Sequence, residues 1–340
     1  MKRSSSLITL LTLVLSSLAA APPASEPAAA TTNSTPEMRA RDRFERVLRK
    51  IEPSGHGDPQ RLPQYLNLIE KEFVEDTRTF PFDVTVDTST LRGFVEFSEH
   101  KHVITTVFDR LGIANLHDDI ELLPAPALGS KRYGLITAER TFVRARIAPR
   151  RENLTQCVRG DLVFLLKETE TPEHEFLCHA PDGYVGYVAA SDIRPIDASE
   201  IPQSPSHRSG EIEQVIAAAK TMLGAPYVWG ASAKDGTDCS GLVRSAFETI
   251  HLNLPRDADQ QYLVGRLVGT RSCRDALRRG DTLYFLGRSG QIHHTALYLG
   301  DDQYIEATEP VVKITSFSKG DPQYSEKRDQ SFCFAKRILE

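Results

Sequence analysis

The sequence predicts an α+β protein in which a short helical segment comes first, small all-β units follow, and a mixed domain of helices and strands comes last. Three observations support this fold class. Apolar residues recur at helical spacing from residue 42, short strands separated by turn residues fill the middle, and a helical pattern followed by hairpin patterns begins near residue 211. The 340 residues are enough for two or three domains.

Residues 1–21 predict a secretory signal peptide. Lys2 and Arg3 give a basic start, and an apolar run follows that ends in small residues. The run is shorter than the ~20 residues that a membrane-spanning helix needs, and a retained membrane anchor is the alternative. Residues 22–41 are rich in Ala, Pro, Ser and Thr and predict a disordered linker. We therefore expect a secreted or periplasmic protein with no membrane span after signal cleavage.

The composition is typical of a soluble globular protein, with 40% hydrophobic and 26% charged residues. The formal charge is 41 − 46 = −5, which gives no support to nucleic acid as a partner.

Five cysteines are an odd number for an exported chain, so at least one is expected to stay unpaired. Cys157 could pair with Cys178 and Cys273 with Cys333; the alternative is that these four are small buried hydrophobes. There is no C-x-x-C motif, so neither a zinc ribbon nor a thioredoxin-like motif is predicted. We expect no metal and no cofactor.

The first two structural segments are predicted as helical and then β. In residues 42–81, Pro53 and Gly55 end a first helix and a second short helix follows. Residues 82–131 predict a possible first SH3-like β-unit, because "FDVTVDTSTL" alternates and "KHVITTVF" at 101–108 is apolar and β-branched.

Residues 132–197 predict a small barrel of about five short strands. Their closing run, "APDGYVGYVAASDI", resembles the bacterial SH3 family, whose modules often bind cell-wall peptide or position a catalytic domain. Residues 198–210 predict a linker rich in Pro and Ser, and residues 211–340 a last domain that opens with a helix ended by Gly224.

Cys239 lies in "GTDCSGLV", residues 236–243, where a glycine-containing turn leads into a predicted helix. Asp238 can cap that helix, which places Cys239 in the first turn. Unpaired N–H groups and the helix dipole favour a thiolate there, although the charge of Asp238 opposes it. The position indicates a nucleophile, which needs a general base.

Two histidines in "QIHHTALYLGDDQYIEA", residues 291–307, are candidates for that base. Alternation places His293 and His294 on opposite faces of a strand, so only one can face the helix, and alternation alone does not say which. "GDD" predicts a tight turn, after which Glu306 returns to a position near His294. We expect the Glu306 carboxylate to accept a hydrogen bond from the histidine Nδ1–H.

The last 130 residues resemble the NlpC/p60 family of cell-wall cysteine peptidases. "LGAPYVWGASAKDGTDCSGLV", "LPRDADQQ", "LRRGDTLYF" and "HTALYLGDDQYIEA" match its motifs in order and spacing. The resemblance implies a papain-like fold with Cys239 as nucleophile and His294 as base. It also implies that Tyr227 lines the oxyanion site and that further residues lie near the substrate cleft, namely Trp229, Asp238, Ser240, Arg256 and Asp257.

Two positions depart from the family pattern. Glu306 stands where the family usually has histidine, or sometimes asparagine or glutamine, and a charged Glu306 is expected to raise the pKa of His294. Ala258 stands where relatives that cleave short peptides often carry serine, so one substrate hydrogen bond is expected to be absent.

The resemblance implies a Cys-His-Glu endopeptidase that cleaves peptidoglycan stem peptides between D-glutamate and the diamino acid through a thioester. In relatives with an SH3-like segment beside the cleft, that segment restricts the enzyme to peptides with a free N-terminus. Two alternatives remain open: a cell-wall-binding protein with a decayed catalytic domain, and a Cys-His enzyme acting on another amide or acyl bond. Turnover of a defined peptide separates them.

Overall fold

A computed structural model describes residues 36–145, 152–170, 174–202, 208–233 and 235–340, with side chains from residue 41 onward. The predicted signal peptide and the predicted linker up to residue 35 lie outside the described residues. Among the described residues, none of the helices combines the length and the apolar character required to cross a membrane.

Two helices open the described chain, as the apolar spacing predicts. They are α1 (Pro36–Ile51) and α2 (Leu62–Phe73). Helix α1 already begins at residue 36, so the last six residues of the predicted linker belong to a helix instead. The two helices bury their apolar faces in one core.

Residues 82–131 form a ββαβ arrangement, so the prediction of a first SH3-like β-unit is wrong. The elements are β1 (Phe82–Asp87), β2 (Thr90–Val95), α3 (Ser98–Arg110) and β3 (His117–Leu122). Strands β2 and β3 pair in parallel, which requires a crossover connection, and α3 provides it. We call residues 36–128 the N-terminal unit.

The run at 101–108 is helical although its β-branched residues predict a strand. Val103, Ile104, Val107 and Phe108 are buried together against α1 and α2, and their spacing of three and four residues is that of one helix face. The burial of this face therefore favours a helix and outweighs the local preference of the β-branched residues for a strand.

Residues 133–196 form what we call the middle sheet. In the described part of the chain it holds seven strands, two more than the sequence predicts, in the order β10-β4-β7-β8-β9-β5-β6. The strands are β4 (Tyr133–Ile136), β5 (Arg140–Arg144), β6 (Asn153–Val158), β7 (Leu162–Glu168), β8 (Glu175–His179), β9 (Val185–Ala189) and β10 (Ile193–Ile196). An SH3-like identity for this sheet stays a prediction.

The C-terminal unit, residues 209–340, packs helices on one face of a sheet. Its elements are α4 (Ser209–Lys220), β11 (Ser232–Ala233), β12 (Gly236–Thr237), α5 (Cys239–Glu248), α6 (Ala258–Gln261), β13 (Arg266–Thr270), β14 (Thr282–Leu286), β15 (Ile292–Gly300), β16 (Gln303–Ala307), β17 (Val312–Ser316), α7 (Glu326–Ser331) and β18 (Phe332–Arg337). Among the described residues, six strands form its main sheet in the order β13-β18-β14-β15-β16-β17. Leu297, Leu299 and Ile305 of that sheet pack against α4 and α5.

One hydrophobic cluster joins all three parts, and we call it the shared core. Its members include Phe80 and Phe97 from the N-terminal unit, Tyr133 from the middle sheet, and Ile292 and Phe334 from the C-terminal unit. The Phe334 ring lies 5.2 Å from the ring of Phe80 and 5.5 Å from that of Phe97. The middle sheet and the N-terminal unit therefore form part of the support of the C-terminal sheet.

All five cysteines are buried free thiols. For Cys157, Cys178, Cys273 and Cys333, the alternative of small buried hydrophobes is therefore confirmed over the two disulfides. Burial raises the pKa of Cys157 to about 12 and that of Cys273 to about 11, which leaves both as neutral thiols near pH 7.

Candidate active site

Cys239 is the first residue of α5, as the sequence predicts. Asp238 caps the helix: its Oδ1 accepts the Gly241 N–H at 2.7 Å, which satisfies one of the free donors of the first turn. Leu242 and Phe247 are among the residues that bury the helix against the sheet. The thiol is thereby fixed at the point where the buried helix begins.

The environment of Cys239 favours a thiol at neutral pH, which differs from the expected thiolate. Only 6% of the residue is exposed, and burial raises the pKa of its thiol to about 11. The nearby backbone N–H groups of Thr295 and Ser240 lower the pKa of the thiol but do not outweigh the burial. Cys239 therefore needs a neighbouring base to lose its proton.

His294 and Glu306 lie on the β15–β16 hairpin. Asp301 and Asp302 form its turn with φ values of 52° and 59°, in the left-handed region that tight hairpin turns need. His294 Nε2 lies 2.7 Å from Glu306 Oε2, and the two residues are only 5% and 1% exposed. His293 is exposed, and its Nδ1 lies 3.2 Å from the Phe285 carbonyl oxygen. Of the two histidines, it is therefore His294 that pairs with Glu306.

The nitrogen that faces Glu306 is Nε2, so the expectation of an Nδ1–H bond is wrong. A carboxylate only accepts hydrogen bonds, so the proton of a neutral His294 ring lies on Nε2. Nδ1 is then the basic nitrogen. The backbone N–H of Thr295, the residue after His294, lies near Cys239, so the histidine strand runs past the start of α5.

Two residues that the sequence did not indicate complete the surroundings of Glu306. Arg328 of α7 places its Nε 2.7 Å from Glu306 Oε2, and the Thr315 hydroxyl of β17 donates to Oε1 at 2.7 Å. The strand alternation of β17 could have indicated Thr315 once its register with β16 was known. Arg328 lies in "SEKRDQS", where several charged residues are adjacent and none stands out.

These contacts set the charges of the pair. Burial alone would raise the pKa of Glu306, but the hydrogen bond from His294 and the charges of His294 and Arg328 lower it to about 2. Burial and then the charge of Arg328 lower the pKa of His294, against the carboxylate that raises it. Glu306 raises the pKa of His294, as expected, but burial and Arg328 outweigh it, so the pKa of His294 lies below its ordinary value.

Asp238, Ser240 and Arg256 form one polar network at the start of α5. Arg256 binds both carboxylate oxygens of Asp238, at 3.1 Å and 2.6 Å, and donates to the Ser240 hydroxyl at 2.8 Å. Asp238 Oδ2 also accepts the Gly230 N–H at 2.8 Å. The polar groups of these three predicted cleft residues are used within the protein, where they hold the helix start and the 230 loop together.

The other predicted cleft residues lie around this network. Tyr227 is half-buried, and its backbone forms an isolated parallel β-bridge with Thr237, two residues before Cys239. Trp229 is 63% exposed, and Asp257 is exposed at the start of α6. Ala258, where relatives often carry serine, is buried at 8% exposure. An oxyanion role for the Tyr227 hydroxyl stays a prediction.

A known protein family is similar to the part of the chain that contains these residues. Residues 224–330 match the model of the NlpC/P60 family. The chain is 37% identical over 139 residues to the probable endopeptidase YafL of Escherichia coli, an alignment that covers 40% of this chain and 53% of that protein.

Two further relatives carry cell-wall or γ-glutamyl names. The chain is 34% identical over 131 residues to the peptidoglycan endopeptidase RipB of Mycobacterium tuberculosis, covering 35% of this chain and 51% of that protein. It is 32% identical over 123 residues to a γ-D-glutamyl-L-lysine dipeptidyl-peptidase of Bacillus subtilis, an alignment that covers 36% of this chain and 37% of that protein. The chain thus spans about half or less of the length of these relatives. Residues 224–330 of this chain are an NlpC/P60 family domain, with homologues named as peptidoglycan endopeptidases.

Proposed function

We propose that the protein is a cysteine endopeptidase that hydrolyses peptidoglycan stem peptides, with Cys239 as nucleophile, His294 as base and Glu306 as the residue that orients the imidazole. The observation that carries the proposal is the buried His294–Glu306 pair on the β15–β16 hairpin, with the backbone N–H of Thr295 near Cys239. The names of the relatives support the substrate class.

The chemistry starts from a neutral thiol and a neutral imidazole. His294 Nδ1 takes the Cys239 proton as the sulfur attacks the carbonyl carbon, and the carbonyl oxygen becomes an oxyanion. His294 then gives the proton to the leaving amine, the C–N bond breaks, and a thioester forms. Water attacks the thioester with His294 again as base, which releases a carboxylic acid and restores the thiol. Glu306 holds Nε2–H throughout and supports the transient imidazolium.

The bond cleaved is proposed to be the one between D-glutamate and the following diamino acid. The γ-D-glutamyl name of the Bacillus subtilis relative supports this choice. The predicted signal peptide and the peptidoglycan substrates support a site of action outside the cytoplasm.

Purified protein given a γ-D-glutamyl-diaminopimelate peptide tests the function by mass spectrometry of the products. We expect wild type to release the diaminopimelate fragment and Cys239→Ala to lose at least about 1,000-fold of the rate, because the nucleophile is gone. Cys157→Ala removes a buried thiol from the middle sheet and serves as the matched control, with activity near that of wild type. Wild-type protein that binds cell walls but leaves every such peptide intact would overturn the proposal in favour of a binding protein.

A further inference from the structure

Glu306 Oε2 serves two cationic or potentially cationic partners at once. His294 Nε2 and Arg328 Nε both lie 2.7 Å from this oxygen, and the other oxygen accepts from Thr315. Glu306 carries one negative charge and Arg328 one positive charge. The Glu306–Arg328 pair is therefore formally neutral beside the imidazole, whereas Glu306 alone would present a full negative charge to it.

Arg328 is held in this position by more than its carboxylate partner. Its NH2 group lies 3.2 Å from the Thr308 hydroxyl oxygen, and its guanidinium carbon lies 5.5 Å from the centre of the Phe285 ring. Ser325 caps α7 by accepting the Arg328 N–H. The side chain of Arg328 is 10% exposed and that of Glu306 is 1% exposed, so water screens this pair far less than a surface salt bridge.

We propose that Arg328 is a positioning residue for the proposed hydrolysis, which offsets the charge of Glu306 and so keeps His294 a neutral base held by its Nε2–H. The inference rests on the proposed function for its catalytic meaning, while the electrostatic coupling between Arg328 and His294 can be measured without any turnover. A merely structural arginine would not change the proton affinity of His294.

The other groups that face the pair do not supply this charge. Thr315 is neutral, and Cys239 is a neutral thiol at pH 7. Lys313 lies opposite Glu306 in the β16–β17 register but is exposed. His293 lies beside His294 but is exposed, and a positive charge on His293 would disfavour a positive charge on His294.

The balance of these charges matters because His294 has to gain and lose a proton in each half of the reaction. A buried carboxylate without Arg328 would stabilise the imidazolium. An imidazolium that holds its proton too firmly gives it up slowly to the leaving amine. Arg328 withdraws part of the carboxylate's negative potential, so the same proton can leave His294 again.

The test is an NMR titration of His294 in the inactive Cys239→Ala protein, with Arg328 present or replaced by methionine. A methionine keeps much of the volume but removes the charge. We expect Arg328→Met to raise the proton affinity of His294 about tenfold or more, because a full charge is lost within a few ångströms. The matched control is Arg271→Met, since Arg271 also pairs with a glutamate, Glu99, and lies over a phenylalanine ring.

A second pair of variants decides the case if Arg328→Met does not fold. Glu306→Gln leaves Arg328 without its carboxylate and should lower the proton affinity of His294, and adding Arg328→Met to Glu306→Gln should raise it again. Arg328 substitutions that change the titration by less than threefold in both backgrounds would overturn the inference. In active protein, Arg328→Met should lower kcat more than it changes KM and shift the His294 limb of the pH profile upward. A wild-type protein without activity would contradict the proposed function, whereas the titration would still measure the electrostatic coupling between Arg328 and His294.

Discussion

The carboxylate of Glu306 is almost fully buried, and both of its oxygens accept hydrogen bonds. A buried acceptor that loses a donor bears the full cost of its desolvation, so each donor around Glu306 contributes to its position. Thr315 is the donor whose side chain carries no titratable group, so its replacement leaves the charges around Glu306 unchanged.

Replacing Thr315 with valine keeps its shape and removes its hydroxyl. We expect a loss of about 1–3 kcal/mol in the free energy of unfolding and a loss of activity of several-fold, because Glu306 Oε1 is left without that donor. Urea denaturation and peptide turnover measure the two effects. Thr315→Ser keeps the hydroxyl and is the control; a serine variant as impaired as the valine variant would show that the site is sensitive to any change of side chain here, and not specifically to loss of the hydrogen bond.

The sequence predicts the three main residues of the site but not its electrostatics. Cys239 follows from a capped helix start, and Glu306 follows from counting across a tight turn, because both depend on local geometry. The choice of Nε2 over Nδ1 depends on the rotamer of His294, and Arg328 reaches Glu306 from 22 positions further along the chain. Such contacts form only when the C-terminal segment folds back, so no local pattern encodes them.

At the level of single elements, α5 depends on the absence of a side chain at Gly241. A Cβ added there would lie 2.3 Å from the Ala231 carbonyl oxygen and 2.9 Å from Asp238 Oδ1. The backbone of the 230 loop therefore approaches the first turn of α5 too closely for any other residue.

Gly241→Ala should destabilise the protein by about 1–3 kcal/mol, because the 230 loop or the helix has to move. Gly210→Ala is the matched control: Gly210 lies in α4, a Cβ there meets nothing within 4 Å, and we expect a gain of about 0.4–1 kcal/mol. Urea midpoints of the two variants measure the difference. A Gly241→Ala protein as stable as wild type would contradict the close approach.

Helix α3 shows why part of the fold escapes prediction from the sequence. Its β-branched residues favour a strand, and its apolar spacing fits a helix, so the two signals disagree. The burial of Val103 and Val107 against α1 and α2 settles the matter, and that burial depends on elements distant in the chain. By contrast, α2, α4 and the β15–β16 hairpin carry consistent local signals and are confirmed.

At the scale of the whole molecule, the N-terminal unit holds the loop that leads into β15. His100 Nε2 lies 2.8 Å from the Gly290 carbonyl oxygen, and the Ile292 N–H donates to Glu75 Oε1 at 2.9 Å. Ile292 is two residues before His294. The position of the histidine strand is therefore set in part by contacts that span 190 and 217 positions of the chain.

Glu75 makes this contact dependent on pH. Burial raises its pKa from the ordinary 4.5 to about 8. Between these two values the folded protein binds more protons than the unfolded chain, so stability falls as the pH rises from about 4.5 to about 8. Glu75→Gln keeps the acceptor for Ile292 and should flatten this slope; since each pKa unit corresponds to about 1.4 kcal/mol, we expect a gain over wild type of several kcal/mol at pH 8.5 and little gain at pH 4.5.

Urea denaturation at the two pH values measures the effect of Glu75. Glu72→Gln is the control, because the Glu72 carboxylate pairs with the exposed Lys50 and its removal changes the same net charge. Equal slopes for wild type and Glu75→Gln would contradict the assignment.

The shared core has a consequence for engineering. A fusion protein that carries only the C-terminal unit behind an unrelated domain would expose the faces of Tyr262, Ile292 and Phe334 that the other two parts cover. Such exposed apolar surface promotes aggregation. The segment to transfer into a fusion protein is therefore residues 36–340, with the new partner joined ahead of α1.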